Sequence, residues 1–289
     1  MELFSLFFDT ILFRPYVFVF LAAFLLFATQ LIGWPRTWRF AVISWATAFV
    51  CEFSSTRTGI PFGWYHYNGS TVGQELYLSN IPLMASLSFI FLLYAAYCLT
   101  LCLLLPIERS STPGYPPLMA LRFDPASRSS GPVLVLTALL FTLIDMVIDP
   151  VALRGDRWFL GSIYYYTDPG FHFGVPLTNY VGWAVVGLIS LSIYFPIDRR
   201  LPAHSSHANR STTHRLLLGA GLYYAVVAFN LGVTFWIGEW RLGISGLLLC
   251  LPLTILLVLR LTGFLRSLYE SDVTKESISS GGNRPGDFV

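Results

Sequence analysis

Seven stretches of this chain are too apolar to face water, and they limit what it can fold into more than any other feature. They run near residues 16–32, 40–53, 81–105, 133–148, 177–195, 216–237 and 242–261. A helix needs about 20 apolar residues to cross the hydrocarbon core of a bilayer. The expected class is therefore an all-α polytopic membrane protein with about seven transmembrane helices. Charge agrees: 12% of the 289 residues are charged and 55% are hydrophobic, where a soluble domain carries about 25% charged residues. That balance excludes a cytosolic enzyme and a nucleic-acid binder, and a net charge of +2 is too small to imply a polyanionic partner.

Positive charge orients the spans. Thirteen of the 18 basic residues, among them Arg36, Arg39, Arg109, Arg128, Arg199, Arg200 and Arg260, fall after spans one, three and five or at the C-terminal end. Arg14, Arg57, Arg154, Arg157 and Arg241 fall on the other side. The expectation is a multi-pass protein of the cell inner membrane, N terminus outside and C terminus cytoplasmic, with membrane lipid as its surroundings. Residues 1–15 read as an interfacial segment, 16–265 as the transmembrane catalytic domain and 266–289 as a disordered tail. Residues 110–131 and 203–213 read as mobile polar loops; His204, His207 and His214 lie in or beside the second and read as solvated. Cys51, Cys98, Cys102 and Cys250 lie in apolar runs without the spacing of a zinc site. No metal is expected.

Two stretches of the chain resemble each other. In the first, Glu52 is followed by Gly63-Trp64-Tyr65-His66-Tyr67 and then Ile81-Pro82-Leu83. In the second, Asp149-Pro150 is followed by Gly161, Tyr164-Tyr165-Tyr166 and then Val175-Pro176-Leu177. Each has an acid ending a short span, an aromatic loop and a Pro opening the return. Such hairpins form a parallel repeat, with a pseudo-two-fold axis along the membrane normal. Acid-ending spans of about 14 and 16 residues reach only about 21–24 Å of a core roughly 30 Å thick. The loops after them are thus expected to dip to membrane depth, which requires them to be buried or to line a cavity.

Glu52, Asp145 and Asp149 are the intramembrane acids, each costly when charged and unpaired. Asp145 and Asp149 are four residues apart and share a helix face. Burial and mutual repulsion disfavour ionising both, so one should keep its proton, as a general acid requires. The structural alternative pairs these acids with Arg57, Arg154 or Arg157. Trp64, Tyr65, Tyr67, Trp158, Tyr165 and Trp183 crowd the outer loops and neighbouring span ends. An interfacial belt explains part of that crowding; cation-stabilising walls explain the rest, at about 0.5–2 kcal/mol per ring. An apolar chamber with a proton donor and aromatic walls suits carbocation chemistry on a polyene. Asn80 and Asn179, at the span mouths, are candidates to hold a water or a carboxyl, and His66 is a candidate proton acceptor. Rossmann, Walker A and paired Asp-rich diphosphate motifs are absent, so the expected chemistry is redox-neutral and free of cofactors.

These blocks carry a family resemblance. Glu52, Thr58-Gly59-Ile60-Pro61-Phe62-Gly63, Asp145-x-x-x-Asp149-Pro150-Val151-Ala152 and Gly174-Val175-Pro176-Leu177-x-Asn179-x-x-Gly182-Trp183 resemble the CruF-type membrane proteins of carotenoid biosynthesis. That family includes carotenoid 1,2-hydratases and bisanhydrobacterioruberin hydratase. The resemblance implies cofactor-independent addition of water to the terminal double bond of a ψ end group. It also implies an acyclic or monocyclic carotenoid substrate and other carotenoid-pathway enzymes as partners. Asp149 or Asp145 would then be the donor and Glu52 would hold water or accept the proton. Asp168-Pro169-Gly170-Phe171-His172-Phe173 departs from the family's tighter junction at this point, an alteration expected to bear on substrate length or end group. A carotene cyclase uses the same protonation, and a proton-coupled transporter or carotenoid binder also fits parallel repeats with midplane acids.

Overall fold

A computed structural model describes residues 2–110, 118–202 and 210–280. The chain opens with α1 (Glu2–Phe13), α2 (Pro15–Ile32) and α3 (Trp34–Thr58). Pro sits in the first turn of both α2 and α3, where its missing N–H costs nothing. The strands β1 (Tyr65–Tyr67), β2 (Tyr77–Leu78) and β3 (Ile81–Pro82) lead into α4 (Leu83–Leu104). After β4 (Ile107–Ser110), β5 (Leu118–Leu121) and the short α5 (Pro125–Arg128) comes α6 (Gly131–Ala152). A 3₁₀ turn and β6 (Tyr164–Tyr166) then precede α7 (Leu177–Arg200), α8 (Arg210–Trp236) and α9 (Trp240–Ser280).

Six described helices are long and apolar enough to cross a membrane: α2, α4, α6, α7, α8 and α9. The seventh expected span lies within α3, whose 25 residues reach about 37 Å at 1.5 Å each. Its apolar character is diluted by Arg36, Arg39, Glu52 and Arg57. α4 is the central post: 78% of its apolar window is buried, against 28% in α2 and 33% in α9. On α9, Leu247, Leu248, Leu251, Ile255 and Leu259 are exposed, the pattern of a helix whose outer face meets lipid. α1, at 12 residues, is too short to cross.

The two hairpins, α3–α4 and α6–α7, are arranged as the repeat implies. α3 packs on α7 and α4 on α6, which is one relation counted from each half. β1 and β6 pair antiparallel, with Tyr65 opposite Tyr166, His66 opposite Tyr165 and Tyr67 opposite Tyr164. A two-fold axis between His66 and Tyr165 exchanges the strands. Pro82 and Pro176, both in extended backbone, cap α4 and α7.

The acids do not end short spans. α3 continues six residues beyond Glu52 and α6 three beyond Asp149, because Phe53–Thr58 and Pro150–Ala152 remain helical. Both helices are long enough to cross, so span length does not draw the loops inward. The loops instead fold back over the helix ends. Gly59 closes α3 in the left-handed conformation (φ 75°), its N–H donating to Ser55 O at 2.9 Å. The chain then turns so that Phe62 seats against Gly182 of α7, where a Cβ would lie 2.2 Å from the ring.

The expected loop 110–131 is more structured than its composition suggests. β4 and β5 pair as a hairpin, and Asp124 caps α5 by accepting from the backbone N–H of Ala126 and Ser127; residues 111–117 lie outside the described residues. So do 203–209, with His204 and His207, whereas His214 lies exposed on α8. α9 runs as helix to Ser280 through much of the expected tail, and 281–289 lie outside the described residues.

Two buried ionic clusters tie the bundle at opposite ends. At the end where β5 leads into α5, Asp198 of α7 accepts from Arg36 Nε at 2.5 Å and from Arg128 Nε and Nη2 at 2.9 Å each. On the side of β1 and β6, Arg14 at the α1–α2 joint donates to both Glu75 oxygens, at 3.1 and 2.7 Å, and to Leu160 O at 2.6 Å. Both side chains of this second pair are fully buried. Arg14→Ala leaves Glu75 uncompensated and should cost about 3–5 kcal/mol, read as a lower unfolding temperature in detergent. The double substitution Arg14→Met with Glu75→Leu should recover most of that loss.

Candidate active site

Each half of the repeat presents a carboxyl to a tyrosine fifteen residues later. In the first half, Tyr67 donates to Glu52 Oε1 at 2.9 Å. In the second, Tyr164 donates to Asp149 Oδ1 and Tyr166 to Asp149 Oδ2, the latter at 2.5 Å. The second half adds Asp145 one turn earlier on α6 and Asn179 on α7. The Asn179 amide donates to Asp145 Oδ2 at 2.7 Å and to Asp149 Oδ2 at 3.0 Å. Measured from the capping prolines, Asn179 corresponds to Ala85, and Asp145 corresponds to Ala48 when counted from the acids. One half therefore carries a single carboxyl, and the other a carboxyl pair bridged by an amide.

All three acids face one cavity of about 170 Å³, which Tyr67, Tyr164 and Tyr166 also line. On these lining residues, Glu52 Oε2 and Asp145 Oδ1 are buried and without a hydrogen-bond partner. Such atoms are costly unless a ligand or water meets them. Much of the remaining wall is aromatic. Phe89 stacks on Trp183 at 4.3 Å and 16°, and Phe141 lies 4.6 Å from the same indole. Phe89 and Trp183 each lie seven residues after a capping proline, so the stack joins equivalent positions of the repeat. The cavity extends toward α2 and α8, where Tyr16 stacks on Phe229 at 5.4 Å.

Tyr67, Tyr164 and Tyr166 are held well above the ordinary phenol range, first by burial and then by the neighbouring carboxyls. They are hydroxyl donors at every physiological pH. The arginines of the adjoining loops, candidates to neutralise the acids, are engaged elsewhere. Arg57 donates to Phe53 O and Ser79 Oγ, and Arg154 and Arg157 pair with Glu239. The structural salt-bridge alternative is therefore not what the fold builds.

Of the residues singled out from sequence, Glu52, Asp145, Asp149, Tyr65, Tyr67, Asn179 and Trp183 line the cavity; His66, Trp64, Tyr165, Trp158 and Asn80 do not. Strand alternation explains three of these. Tyr65 and Tyr67 point inward, so His66 points outward, its ring facing Trp64 at 6.4 Å and Tyr165 at 5.7 Å. Trp158 donates its indole N–H to Val151 O at 3.0 Å and packs against Phe159. The 168–173 segment folds away from the cavity, with His172 Nδ1 bonded to the Tyr180 hydroxyl at 2.5 Å. Burial lowers the His172 pKa from its usual value. Sequence reasoning missed Tyr164 and Tyr166 as carboxyl partners, although the repeated fifteen-residue interval marks Tyr164. Nothing local marks Phe89 or Asn230, which enter the cavity from α4 and α8.

The bisanhydrobacterioruberin hydratase of Haloarcula japonica is 30% identical over 151 residues, a stretch covering 51% of this chain and 41% of that relative. No solved structure matches. The family pattern described as carotenoid biosynthesis protein matches residues 13–253, and the chain belongs to that family.

Proposed function

We propose that the protein is a carotenoid hydratase that adds water across the terminal double bond of a ψ end group, giving a tertiary alcohol. One observation carries the reading: two carboxyl oxygens without partners, Asp145 Oδ1 and Glu52 Oε2, belong to opposite halves of the repeat and share one aromatic-walled cavity. Hydration of an alkene needs a proton donor and a water site at once, and these two oxygens fill those roles.

Hydrogen bonding divides the labour. Asp149 accepts from Tyr164, Tyr166 and Asn179, and three donors favour the charged form. Asp145 has one donor and is fully buried, so the proton of the pair resides on Asp145. In the proposed reaction Asp145 delivers it to the less substituted alkene carbon, leaving a tertiary cation against the faces of Trp183 and Phe89. Water held by Glu52 Oε2 then adds to the cation, and Glu52 takes the released proton. No redox change is involved.

Size favours an end-group reaction. A cavity of about 150 Å³ accommodates a molecule as large as benzene, so 170 Å³ admits one terminal isoprenoid unit with a water. The rest of the polyene must lie outside, and the cavity's extension between α2 and α8 is the proposed way in. The relative's name as a hydratase and the family's place in carotenoid biosynthesis support the same substrate class.

Membranes containing the protein, given lycopene in ¹⁸O-labelled water, should yield a carotenoid alcohol with one labelled oxygen per reacted end. A product of unchanged mass would indicate ring closure instead, and an unchanged carotenoid with proton-dependent flux would indicate a carrier. Asp145→Asn should lower product formation at least about 100-fold, the scale of a lost general acid, with expression unchanged. Full activity in Asp145→Asn, Asp149→Asn and Glu52→Gln alike would remove the mechanism. His66→Ala, whose side chain faces away from the cavity, should stay within about twofold of the parent protein, as surface substitutions usually do.

A further inference from the structure

Hydration by two separated carboxyls leaves each in the wrong state after one turnover. The donor has lost its proton and the acceptor has gained one. Before a second alkene can react, that proton must return from the Glu52 side to the aspartate pair. Two residues connect these sites. Tyr67 and Tyr164 are cross-strand partners in the β1–β6 pairing, with ring centroids 6.2 Å apart. Their hydroxyls bind Glu52 and Asp149 respectively, and both line the cavity. Tyr65 packs beside both, 5.6 Å from Tyr67 and 6.3 Å from Tyr164.

We propose that Tyr67 and Tyr164 form a proton-return relay from Glu52 to the Asp149–Asp145 pair, resetting the site after each turnover without exchange with outside solvent. The inference rests on the hydratase reading and adds the route by which the catalyst is restored. The balance is simple. Asp145 loses a proton as the new C–H bond forms, and water loses one to Glu52 as the C–O bond forms. Protonated Glu52 passes that proton to the Tyr67 oxygen while Tyr67 releases its own toward Tyr164. Tyr164 likewise hands its hydroxyl proton to Asp149 as it receives one, and a water between the two carboxyls passes a proton from Asp149 to Asp145, which restores the donor. A hydroxyl can donate and accept together, and its hydrogen rotates to suit, so neither phenol ionises. The cavity exceeds the roughly 30 Å³ share of one water, and the relay takes a water there as the link between the two hydroxyls. Pairing of β1 with β6 turns His66 and Tyr165 to the opposite face and keeps the route internal.

A positioning role for these tyrosines makes a different forecast from a relay. If they only hold the carboxyls in place, their loss slows every turnover. If they return the proton, the first turnover runs on the proton already stored and only later ones slow. Tyr67→Phe and Tyr164→Phe keep the rings and remove the hydroxyls. Rapid-quench measurements with purified protein and a ψ-end carotene should show the steady-state rate falling at least about tenfold further than the rate of the first product per site, whatever the loss of each hydroxyl does to that first turnover. The double variant should be no slower than the worse single, because both interrupt one path. The first turnover also reports that each variant is folded, and either variant alone suffices. Equal slowing of both phases, no slowing of either, or additive losses in the double variant would overturn the relay. If the parent protein forms no hydrated product, the hydratase reading itself fails and the relay falls with it.

Discussion

The pairing of β1 with β6 is the contact on which the site depends. Only three residues from each strand take part, yet they lock two helical hairpins to one another across a pseudo-two-fold axis. Antiparallel pairing with Tyr67 opposite Tyr164 and Tyr65 opposite Tyr166 sends four phenols inward as one cluster. Without it, the hydroxyls that bind Glu52 and Asp149 would hang from separate loops. The strands also satisfy their own backbone groups where the chain covers the cavity, which matters wherever water is scarce.

Around that contact the bundle separates structural charge from chemical charge. Asp198 and Glu75 are each met by arginine in the closed interior, and the ion pairs join distant elements. Glu52, Asp145 and Asp149 are met by phenols and one amide. Phenols and amides steady a carboxyl without neutralising it, so a proton can come and go. An arginine at the same place would hold the carboxyl ionised and end its use as an acid. The difference between the two groups lies in partner chemistry more than in depth.

The repeat is symmetric in backbone and asymmetric in side chains. Phe89 meets Trp183 as its equivalent, and the axis exchanges the Tyr67–Tyr164 pair with the Tyr166–Tyr65 pair, while Asp145 and Asn179 correspond to alanines in the other half. The two halves thus bring differently partnered carboxyls to one chamber. The proposed hydration, which gives a proton at one point and takes it at another, would draw on that difference.

Much of this was legible in the chain itself. Apolar run lengths determined a polytopic helical bundle, and the spacing of acid, aromatic loop and proline determined that two hairpins repeat. The acids stood out because an intramembrane carboxyl needs a reason. What only the tertiary structure decided is which aromatics serve them. Strand alternation turns His66 and Tyr165 outward and Tyr65 and Tyr67 inward, and a single-residue shift of register would reverse that choice. Helix continuation past Glu52 and Asp149, the diversion of Arg154 and Arg157 to Glu239, and the arrival of Phe89 and Asn230 from other helices were likewise settled by packing. Local sequence determines periodicity and propensity; which side chains meet depends on contacts between segments far apart in the chain.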